Sequence, residues 1–267
     1  MKFALVNGEK VEATKGAKGL CRHCGSELIS RCGEERVNHW AHKGSRNCDP
    51  WWENETEWHR SWKNNFPKEW QEVTHTDEKS GEKHIADVKT DGGWVLEFQH
   101  SYIEPKEHHS RNSFYPKLVW VVDGTRRQRD KPKFYRLLDE YAIRSEDTRF
   151  KNIIGRDDCK LLKEWRDINA LVFFDFQDLD DKKQPILWFL FPRLVSNDEA
   201  YLWPFSRDKF IELHNNNKFD ALVENVISPF LEKLINKKKI MDEMEESRHR
   251  ERLSRLDWIK VGRRGRL

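Results

Sequence analysis

Two carboxylates and one amide lie on neighbouring segments of the chain that could form a metal site. Asp87 precedes the glycine-containing stretch 91–93, and Glu97 and Gln99 follow it. Such a three-residue loop is a common hairpin connection, and it would place Asp87 opposite Glu97. Side chains on a strand alternate between faces, so Glu97 and Gln99 point the same way. Two ionised carboxylates at that distance repel unless a cation lies between them, so the pattern indicates a divalent-metal site.

The same hairpin also fits an ordinary half-buried sheet. Trp94, Leu96 and Phe98 occupy the opposite face of the second strand and make it amphipathic. A polar row with Glu and Gln is typical of the solvent-facing side of such a strand. The remaining segments of the chain must therefore decide between the two interpretations.

A cluster of cysteine and histidine residues precedes the hairpin. Cys21 and Cys24 form a Cys-x-x-Cys pair, and His42 and Cys48 form a second pair further on. Thiolate and imidazole ligands at these spacings favour tetrahedral zinc, and a full ligand set leaves no open position for a substrate water. We therefore expect a structural zinc site in which His39 could replace His42 or Cys48. Cys32 lies between the pairs and is expected to be a bystander.

Residues 53–65 are expected to form a helix between the cysteines and the hairpin. Glu55, His59 and Lys63 recur at helical spacing and form a polar stripe, beside an apolar stripe of Trp58 and Trp62. One interpretation is an exposed charged helix. The other places the stripe over the acidic face of the hairpin, where Glu55 adds a metal or water contact and His59 and Lys63 meet phosphate.

The elements that position these residues follow from the apolar pattern. Strands are expected at 70–76 and at the two arms of the hairpin, and a second helix carries Arg111 as a further phosphate contact. The run 118–123 is continuously apolar, which is typical of a central strand covered on both faces. From residue 53 to 123 the expected order is helix, three strands, helix, strand.

The second half of the chain carries a weaker signal. Strands are expected at 169–176 and 185–191, a helix at 205–215 starting near Ser206, and a long helical stretch from Leu222 to about Trp258, with Pro229 as a candidate break. Four aspartates at 175, 178, 180 and 181 fit no EF-hand spacing and are interpreted as a solvated turn. This half either extends the core sheet or forms an accessory α/β domain. Cys159 is expected to be packed in the interior.

Composition limits the class of protein. The 267 residues include 37% apolar and 36% charged residues, with a net charge of +3, so the balance of charge alone does not predict a nucleic-acid partner. Residues 233–267 contain twelve Lys or Arg against six Asp or Glu. That excess fits either a solvated helix with a basic tail or a DNA contact. No apolar run approaches the roughly 18 residues of a membrane span, so we expect a cytoplasmic protein without a membrane partner.

Several of these motifs, in this order, resemble the competence protein CoiA-like family and, more broadly, the PD-(D/E)xK nuclease superfamily. The matching residues are Cys21, Cys24, His39-Trp-Ala-His42, Cys48, Glu55, His59, Lys63, Asp87, Glu97, Gln99, Ser101, Arg111 and Tyr115. The resemblance implies an α/β (α+β) fold in which a restriction-endonuclease-like core at 51–160 follows a zinc-knuckle region at 1–50. A C-terminal α/β extension with a basic tail would then occupy 161–267.

The resemblance also implies an activity. Asp87 and Glu97 would bind Mg²⁺ or Mn²⁺, with Glu55 as an additional acid, and the protein would hydrolyse DNA phosphodiester bonds in DNA uptake, recombination or anti-phage defence. Gln99 stands where the superfamily usually has Lys, and an amide can orient water but brings no charge. A different class is a zinc-stabilised DNA-binding or protein-interaction module without chemistry. A protein partner and a homo-oligomer are both left open.

Overall fold

The computed structural model describes residues 1–34, 36–44, 48, 55–77, 81–144, 147, 149–154, 158–165, 170–192 and 199–264. For residues 144, 154 and 253–264 the description covers the backbone alone. Within these ranges the chain forms two sheets and seven α-helices, which confirms the mixed α and β character expected from the sequence. No helix in the described part of the chain is both long enough and apolar enough to cross a membrane.

The first sheet has the strand order β2-β1-β3-β4-β5. Its strands are β1 (Phe3–Val6), β2 (Glu9–Glu12), β3 (Lys18–Leu20), β4 (Glu27–Arg31) and β5 (His39–His42). Asn7 and Gly8 join β1 to β2 with φ angles of 52° and 84°, the left-handed conformations that a two-residue hairpin turn requires. An Asn-Gly dipeptide is the typical sequence of such a turn.

The second sheet has the order β10-β11-β14-β13-β12-β9-β8-β7-β6. Its strands are β6 (Gln71–Thr76), β7 (Lys83–Lys89), β8 (Val95–Gln99), β9 (Leu118–Asp123), β10 (Ala142–Arg144), β11 (Lys151–Ile154), β12 (Leu171–Asp175), β13 (Ile186–Leu190) and β14 (Glu199–Ser206). Strand β9 is parallel to both of its neighbours, β8 and β12. The sheet continues past residue 160, so the second half of the chain extends it; the domain bounds themselves stay a prediction.

Helices cover both faces of the second sheet. They are α1 (Glu57–Lys63), α2 (Pro105–Phe114), α3 (Asp130–Tyr141), α4 (Lys160–Glu164), α5 (Arg207–Asn215), α6 (Phe219–Leu222) and α7 (Ser228–Arg264), with a 3-10 turn at Lys68–Trp70. Helices α1, α5, α6 and the start of α7 pack against one face, and α2, α3 and α4 against the other. Strand β9 is buried along its whole length, as the apolar run predicts, because both layers cover it.

The expected order of helix, three strands, helix, strand is present as α1, β6, β7, β8, α2 and β9. The described part of the first helix starts at Glu57, and residues 53–54 of the expected helix lie outside the described residues, as does Asn169 before β12. Pro229 does not break the last helix. A π-helical turn at Val223–Ile227 leads directly into α7. Proline has no backbone N–H to donate, and the helix continues through Pro229 just after this turn. Most of the basic tail also lies outside the described side chains.

Candidate functional site

Four side chains of the first sheet form a compact group that could hold a metal ion. The ligand atoms of Cys21, Cys24, His42 and Cys48 all lie within 4.8 Å of one another. The two Sγ atoms of Cys21 and Cys48 are 3.7 Å apart, and Sγ of Cys24 lies 3.3 Å from Nε2 of His42. Bond lengths of about 2.3 Å to sulfur imply an edge of about 3.8 Å in a tetrahedron, so the thiol pair has the spacing of a zinc site. Among the described residues, this is the one such group of three or more Cys, His, Asp or Glu side chains.

The backbone around the group explains its geometry. The amide of Gly25 donates to the carbonyl of Cys21 at 2.9 Å, and Gly25 has a φ of 74° that only glycine adopts readily. This turn brings Cys24 back beside Cys21. His42 is the histidine of β5 that joins the group, whereas His39 bonds to the carbonyl of Val37 instead. His39 and His42 are three residues apart on a strand, so they face opposite sides, and His42 rather than His39 lies in the group.

The thiols differ in acidity in a way that suits metal binding. Burial alone would raise the pKa of Cys24, but hydrogen bonds with Ser26 and His42 lower that pKa to about 6. Burial raises the pKa of Cys21. Cys32 lies outside the group and points to the carbonyl of Ala13, and Cys159 is fully buried, as the sequence predicts for both. The donor set of three sulfurs and one imidazole fits zinc.

The second set of predicted residues meets at the β7–β8 hairpin. The loop over residues 91–93 has the expected form, with a 2.9 Å bond from Thr90 N to the carbonyl of Trp94. Between the two arms of the hairpin, Val88 pairs with Leu96 and Lys89 pairs with Val95. At the next position, Oδ2 of Asp87 accepts a hydrogen bond of 3.0 Å from the amide of Phe98. The side chain of Asp87 therefore accepts a hydrogen bond from the backbone amide that follows Glu97 in the chain.

Helix α1 places a histidine and a lysine beside Asp87. Nε2 of His59 lies 2.8 Å from Oδ2 of Asp87, and Nζ of Lys63 lies 3.9 Å from Oδ1. Trp62, on the neighbouring stripe of the helix, stacks on Phe98 with ring centroids 5.5 Å apart. The structure thus brings α1 over the hairpin, in line with the second of the two interpretations of the stripe.

Lys63 is the centre of a buried charge cluster, which we define as Glu55, His59, Lys63, Glu72 and Asp87. Nζ of Lys63 lies 2.8 Å from Glu55 and 3.1 Å from Glu72, and the lysine side chain is only 3% exposed. Glu55 precedes the N-cap Thr56 rather than lying on the helix, and it also binds Arg60 at 2.7 Å. Lys63 therefore contacts carboxylates in this arrangement, and its predicted contact with phosphate stays a prediction.

The three acids and the lysine of the cluster stay charged. Burial would raise the pKa of Glu55, but Lys63 and Arg60 lower it to about 2. For Asp87, burial is outweighed by His59, Lys63 and the amide of Phe98, and the pKa is lowered. Burial would lower the pKa of Lys63, yet Glu72, Glu55 and Asp87 raise it. The charged form of each cation is therefore stabilised by the acids around it, and the charged form of each acid by the cations.

Glu72 joins this cluster to the first sheet. Its carboxylate accepts the amides of Lys2 and Phe3 at 2.6 and 2.9 Å. The residue has a φ of 47°, which a non-glycine side chain seldom adopts, at the strand position facing Asp87. The three bonds, to two amides and to Lys63, hold Glu72 in this strained conformation.

Glu97 lies against helix α2. Oε2 of Glu97 accepts a 3.0 Å hydrogen bond from Arg111, which also binds Glu107. Burial would lower the pKa of Arg111, but Glu97, Glu107 and Asp87 raise it, so Asp87 and Glu97 both act on one guanidinium. Gln99 is buried beside them, and its amide group donates to the carbonyl of Ser101 at 3.3 Å. The phosphate contacts predicted for His59 and Arg111 stay predictions, because both side chains bind acids here.

Asp87 and Glu97 carry the oxygen ligands that Mg²⁺ and Mn²⁺ prefer. Magnesium is usually bound through one or two carboxylates together with water and substrate phosphate, and a catalytic metal at these two acids stays a prediction. Within the described residues, Glu55 does not come close enough to both acids to form a group of three. A role for Glu55 through water therefore remains a prediction.

Three further polar residues lie at the carboxyl ends of the parallel strands, and sequence reasoning missed their connection. Asp123 ends β9 and Asp175 ends β12, and the two are paired in register. Nδ1 of His100, just after β8, lies 2.7 Å from Oδ2 of Asp123. The signal in the sequence was an aspartate closing each apolar run, and ligand sites are common at this edge of α/β sheets.

The interpretation of Asp175 as part of a solvated turn is wrong. The residue is only 1% exposed, and its Oδ2 accepts the indole N–H groups of Trp58 and Trp62 at 3.0 and 2.9 Å. Asp178 and Asp180 do serve the connecting loop: Asp178 accepts from Tyr135, and Asp180 accepts the amides of Lys182 and Gln184. The aspartate that fixes α1 is therefore Asp175, at the end of β12, and not an aspartate of the loop.

A cavity of about 890 Å³ lies between the first sheet and the start of α1. Arg36 and His39 line it from the β4–β5 connection, and Glu55 and Arg60 line it from the helix side. The metal-binding sheet and the charge cluster thus share one concave surface.

The fold and the Cys/His group together define an α/β protein with a candidate metal site on a small N-terminal sheet. Residues 5–50 match the sequence model of the family described as competence protein CoiA, N-terminal domain. The matched segment contains all four members of the Cys/His group, and it supports the CoiA-like resemblance for this part of the chain. Comparisons with curated proteins and with solved structures give no significant match.

Proposed function

We propose that the protein is a divalent-metal-dependent deoxyribonuclease of CoiA-like type, with a restriction-endonuclease-like core and a structural zinc site. The observation that carries the proposal is the convergence of α1 on the β7–β8 hairpin. His59 lies 2.8 Å and Lys63 3.9 Å from Asp87, and Glu97 lies on the next strand. The order α1, β6, β7, β8, α2, β9 supports the core assignment. The match over residues 5–50 supports a role in competence; anti-phage defence is an alternative role for the same chemistry.

Each residue of the proposed site has a separate role in phosphodiester hydrolysis. Asp87 and Glu97 would hold Mg²⁺ or Mn²⁺, which, when bound, supplies Lewis-acid charge and lowers the pKa of water. Gln99 orients the attacking water through its amide. Because Gln99 brings no charge, we assign the positive charge beside Asp87 to Lys63. Arg111 neutralises Glu97 and holds it in place.

Cleavage of plasmid DNA tests the proposal. We compare the wild type with Asp87→Asn and Glu97→Gln in Mg²⁺ and in Mn²⁺, with Asp139→Asn on the exposed side of α3 as the matched control. The wild type and the control should cut the DNA, and each active-site variant should lose at least a hundredfold in rate. Equal cutting by all four proteins would refute the assignment of the site, and no cutting by wild type would refute the activity.

A second function is favoured by one specific observation. Lys63 and Arg111 already form ion pairs with Asp87 and Glu97, and His59 lies 2.8 Å from Asp87, so both acids have partners without a metal ion. This arrangement fits a zinc-stabilised module that binds DNA or protein without chemistry. Such a module should keep its DNA affinity in a chelator that leaves zinc bound, and Asp87→Asn should leave that affinity unchanged. A nuclease should lose cleavage under the same two treatments.

A further inference from the structure

His100 forms a dyad with Asp123 at the carboxyl end of β8. Nδ1 of His100 lies 2.7 Å from Oδ2 of Asp123, and Asp123 is only 2% exposed. The other oxygen of Asp123 accepts the amide and the hydroxyl of Thr125 at 2.8 and 2.7 Å. The carboxylate is therefore held from both sides, and it fixes the orientation of the imidazole.

The geometry of the dyad selects Nε2 as the reactive atom. A carboxylate that accepts from Nδ1 keeps a proton on that nitrogen, and Nε2 then exchanges protons with the surroundings. The side chain of His100 is 37% exposed, whereas Asp123 is buried behind it. A purely structural histidine would satisfy Asp123 equally well, so the location of the ring must decide between the two roles.

Helix α1 contacts both the dyad and the proposed nuclease site. Trp58 and His59 are consecutive on α1: the ring of Trp58 lies 6.2 Å from that of His100, and His59 lies 2.8 Å from Asp87. His100 also follows Phe98, whose amide binds Asp87, by only two residues. Two residues of extended chain span about 7 Å. One helix therefore contacts Asp87 and His100 through adjacent side chains.

The groups around the ring are few and identifiable. Asp123 lies on β9 and Asp175 on β12, and Asp175 is occupied by the indoles of Trp58 and Trp62. From α5, Arg207 lies over the ring of Trp62 at 4.3 Å. Of these charged groups, only Asp123 bonds to His100, so the two residues are considered together as one dyad.

We propose that His100 is the general acid of the reaction, with Asp123 as its positioning residue; this inference rests on the proposed function. The oxygen of water forms a bond to phosphorus as the bond from phosphorus to the 3′ oxygen breaks. Nε2 of the protonated ring gives its proton to that leaving oxygen. The attacking water releases one proton to solvent, and solvent returns one to Nε2. The products are a 3′ hydroxyl and a 5′ phosphate.

A leaving group that needs no proton tests the proposal directly. We compare wild type, His100→Gln and Asp123→Asn on two oligonucleotides, one with an ordinary scissile linkage and one with sulfur in place of the bridging 3′ oxygen. A thiolate leaves without protonation. His100→Gln should lose roughly 10²–10⁴-fold on the oxygen linkage, the usual contribution of a general acid, and little on the sulfur linkage. Asp123→Asn should show the same selectivity with a smaller loss.

The controls separate a chemical role from a structural one. His109→Gln on the exposed surface of α2 should match wild type on both linkages. Imidazole added to His100→Ala should restore cleavage of the oxygen linkage, which also covers the case in which His100→Gln folds poorly. An equal loss on both linkages, or no rescue by imidazole, would overturn the assignment of His100 alone. A wild type that cuts neither linkage would overturn the proposed function, and this inference with it.

Discussion

The indole N–H of Trp62 donates a 2.9 Å hydrogen bond to Oδ2 of Asp175, and that contact crosses 113 positions of the chain. Trp58 donates to the same oxygen at 3.0 Å. Helix α1, which carries His59 and Lys63, is therefore held in place by a strand of the C-terminal half. The second half of the chain is part of the framework that positions the candidate site.

Replacing Asp175 with alanine should destabilise the whole protein. The change leaves two buried indole donors without an acceptor and removes the carboxylate that α1 is fixed to, at a cost of about 2–4 kcal/mol. Urea unfolding followed by tryptophan fluorescence measures the loss in free energy of unfolding. Asp139→Ala, an exposed aspartate of α3, is the control and should change that free energy by less than about 0.5 kcal/mol. A loss for Asp175→Ala no larger than the control's would show that the two indoles do not depend on it.

Replacing Cys24 with serine should abolish stoichiometric zinc binding. Cys24 is the thiol with the lowered pKa, and three remaining ligands hold zinc far more weakly than four. We expect about one zinc per chain in wild type and in Cys32→Ser, measured by elemental analysis after gel filtration. Because metal binding and folding are coupled, Cys24→Ser should also lower the thermal midpoint. Full zinc content in Cys24→Ser would contradict the ligand set.

Replacing Lys63 with methionine should be among the most damaging single changes. The side-chain volume is similar, but Glu55 and Glu72 lose their shared cation in a buried site, which costs about 3–5 kcal/mol. Lys106→Met, on the exposed side of α2, is the matched control. Adding Glu72→Gln to Lys63→Met should recover part of the loss, because one uncompensated charge is removed. A double variant no more stable than Lys63→Met would argue against the charge explanation.

His214 should make the protein less stable as the pH falls. The residue is buried against Phe219, with ring centroids 3.9 Å apart, and burial lowers its pKa from 6.5 to about 3. Below pH 6.5 the unfolded chain binds a proton at this position and the folded chain does not, so stability falls by up to about 1.4 kcal/mol per pH unit. Burial and Arg111 lower the pKa of His108 to about 4, which adds to the same trend.

The window from pH 4.5 to 6.5 isolates this effect. Acids with lowered pKa values, such as Glu55, change the free energy of unfolding mainly below that range. His214→Leu should give a shallower dependence of unfolding free energy on pH, and His109→Leu should keep the wild-type slope. Identical slopes in all three proteins would show that His214 takes up a proton without unfolding.

The sequence was sufficient where the determining contacts are local. The Asn7-Gly8 turn depends on two residues, and the order of elements from α1 to β9 depends on short apolar patterns. The Cys/His group also depends on two close pairs. The choice between His39 and His42 required the strand boundaries, because only the parity of β5 shows which imidazole faces the thiols.

The remaining features depend on contacts between distant parts of the chain. Asp175 reads as one aspartate among several near a polar loop, and only the packing of α1 on β12 reveals its two indole partners. His100 and Asp123 are ordinary residues until β8 and β9 are placed side by side. Glu72 was not predicted at all, since a left-handed glutamate within a strand has no signature in the sequence.

Glu72 has a consequence for how the protein folds. The carboxylate of Glu72, on β6 of the second sheet, binds the main-chain amides of Lys2 and Phe3 at the start of the first sheet and also Lys63 of α1. The two sheets therefore cannot separate without removing a partner from this buried ion pair. Thermodynamic linkage is reciprocal. A metal ion in the Cys/His group would stabilise the packing of the first sheet against the second, and that packing in turn stabilises the strained conformation of Glu72 in β6, beside Asp87. A reagent that removes metal from the thiols should therefore accelerate amide hydrogen exchange in β6 and β7, two strands that carry no cysteine.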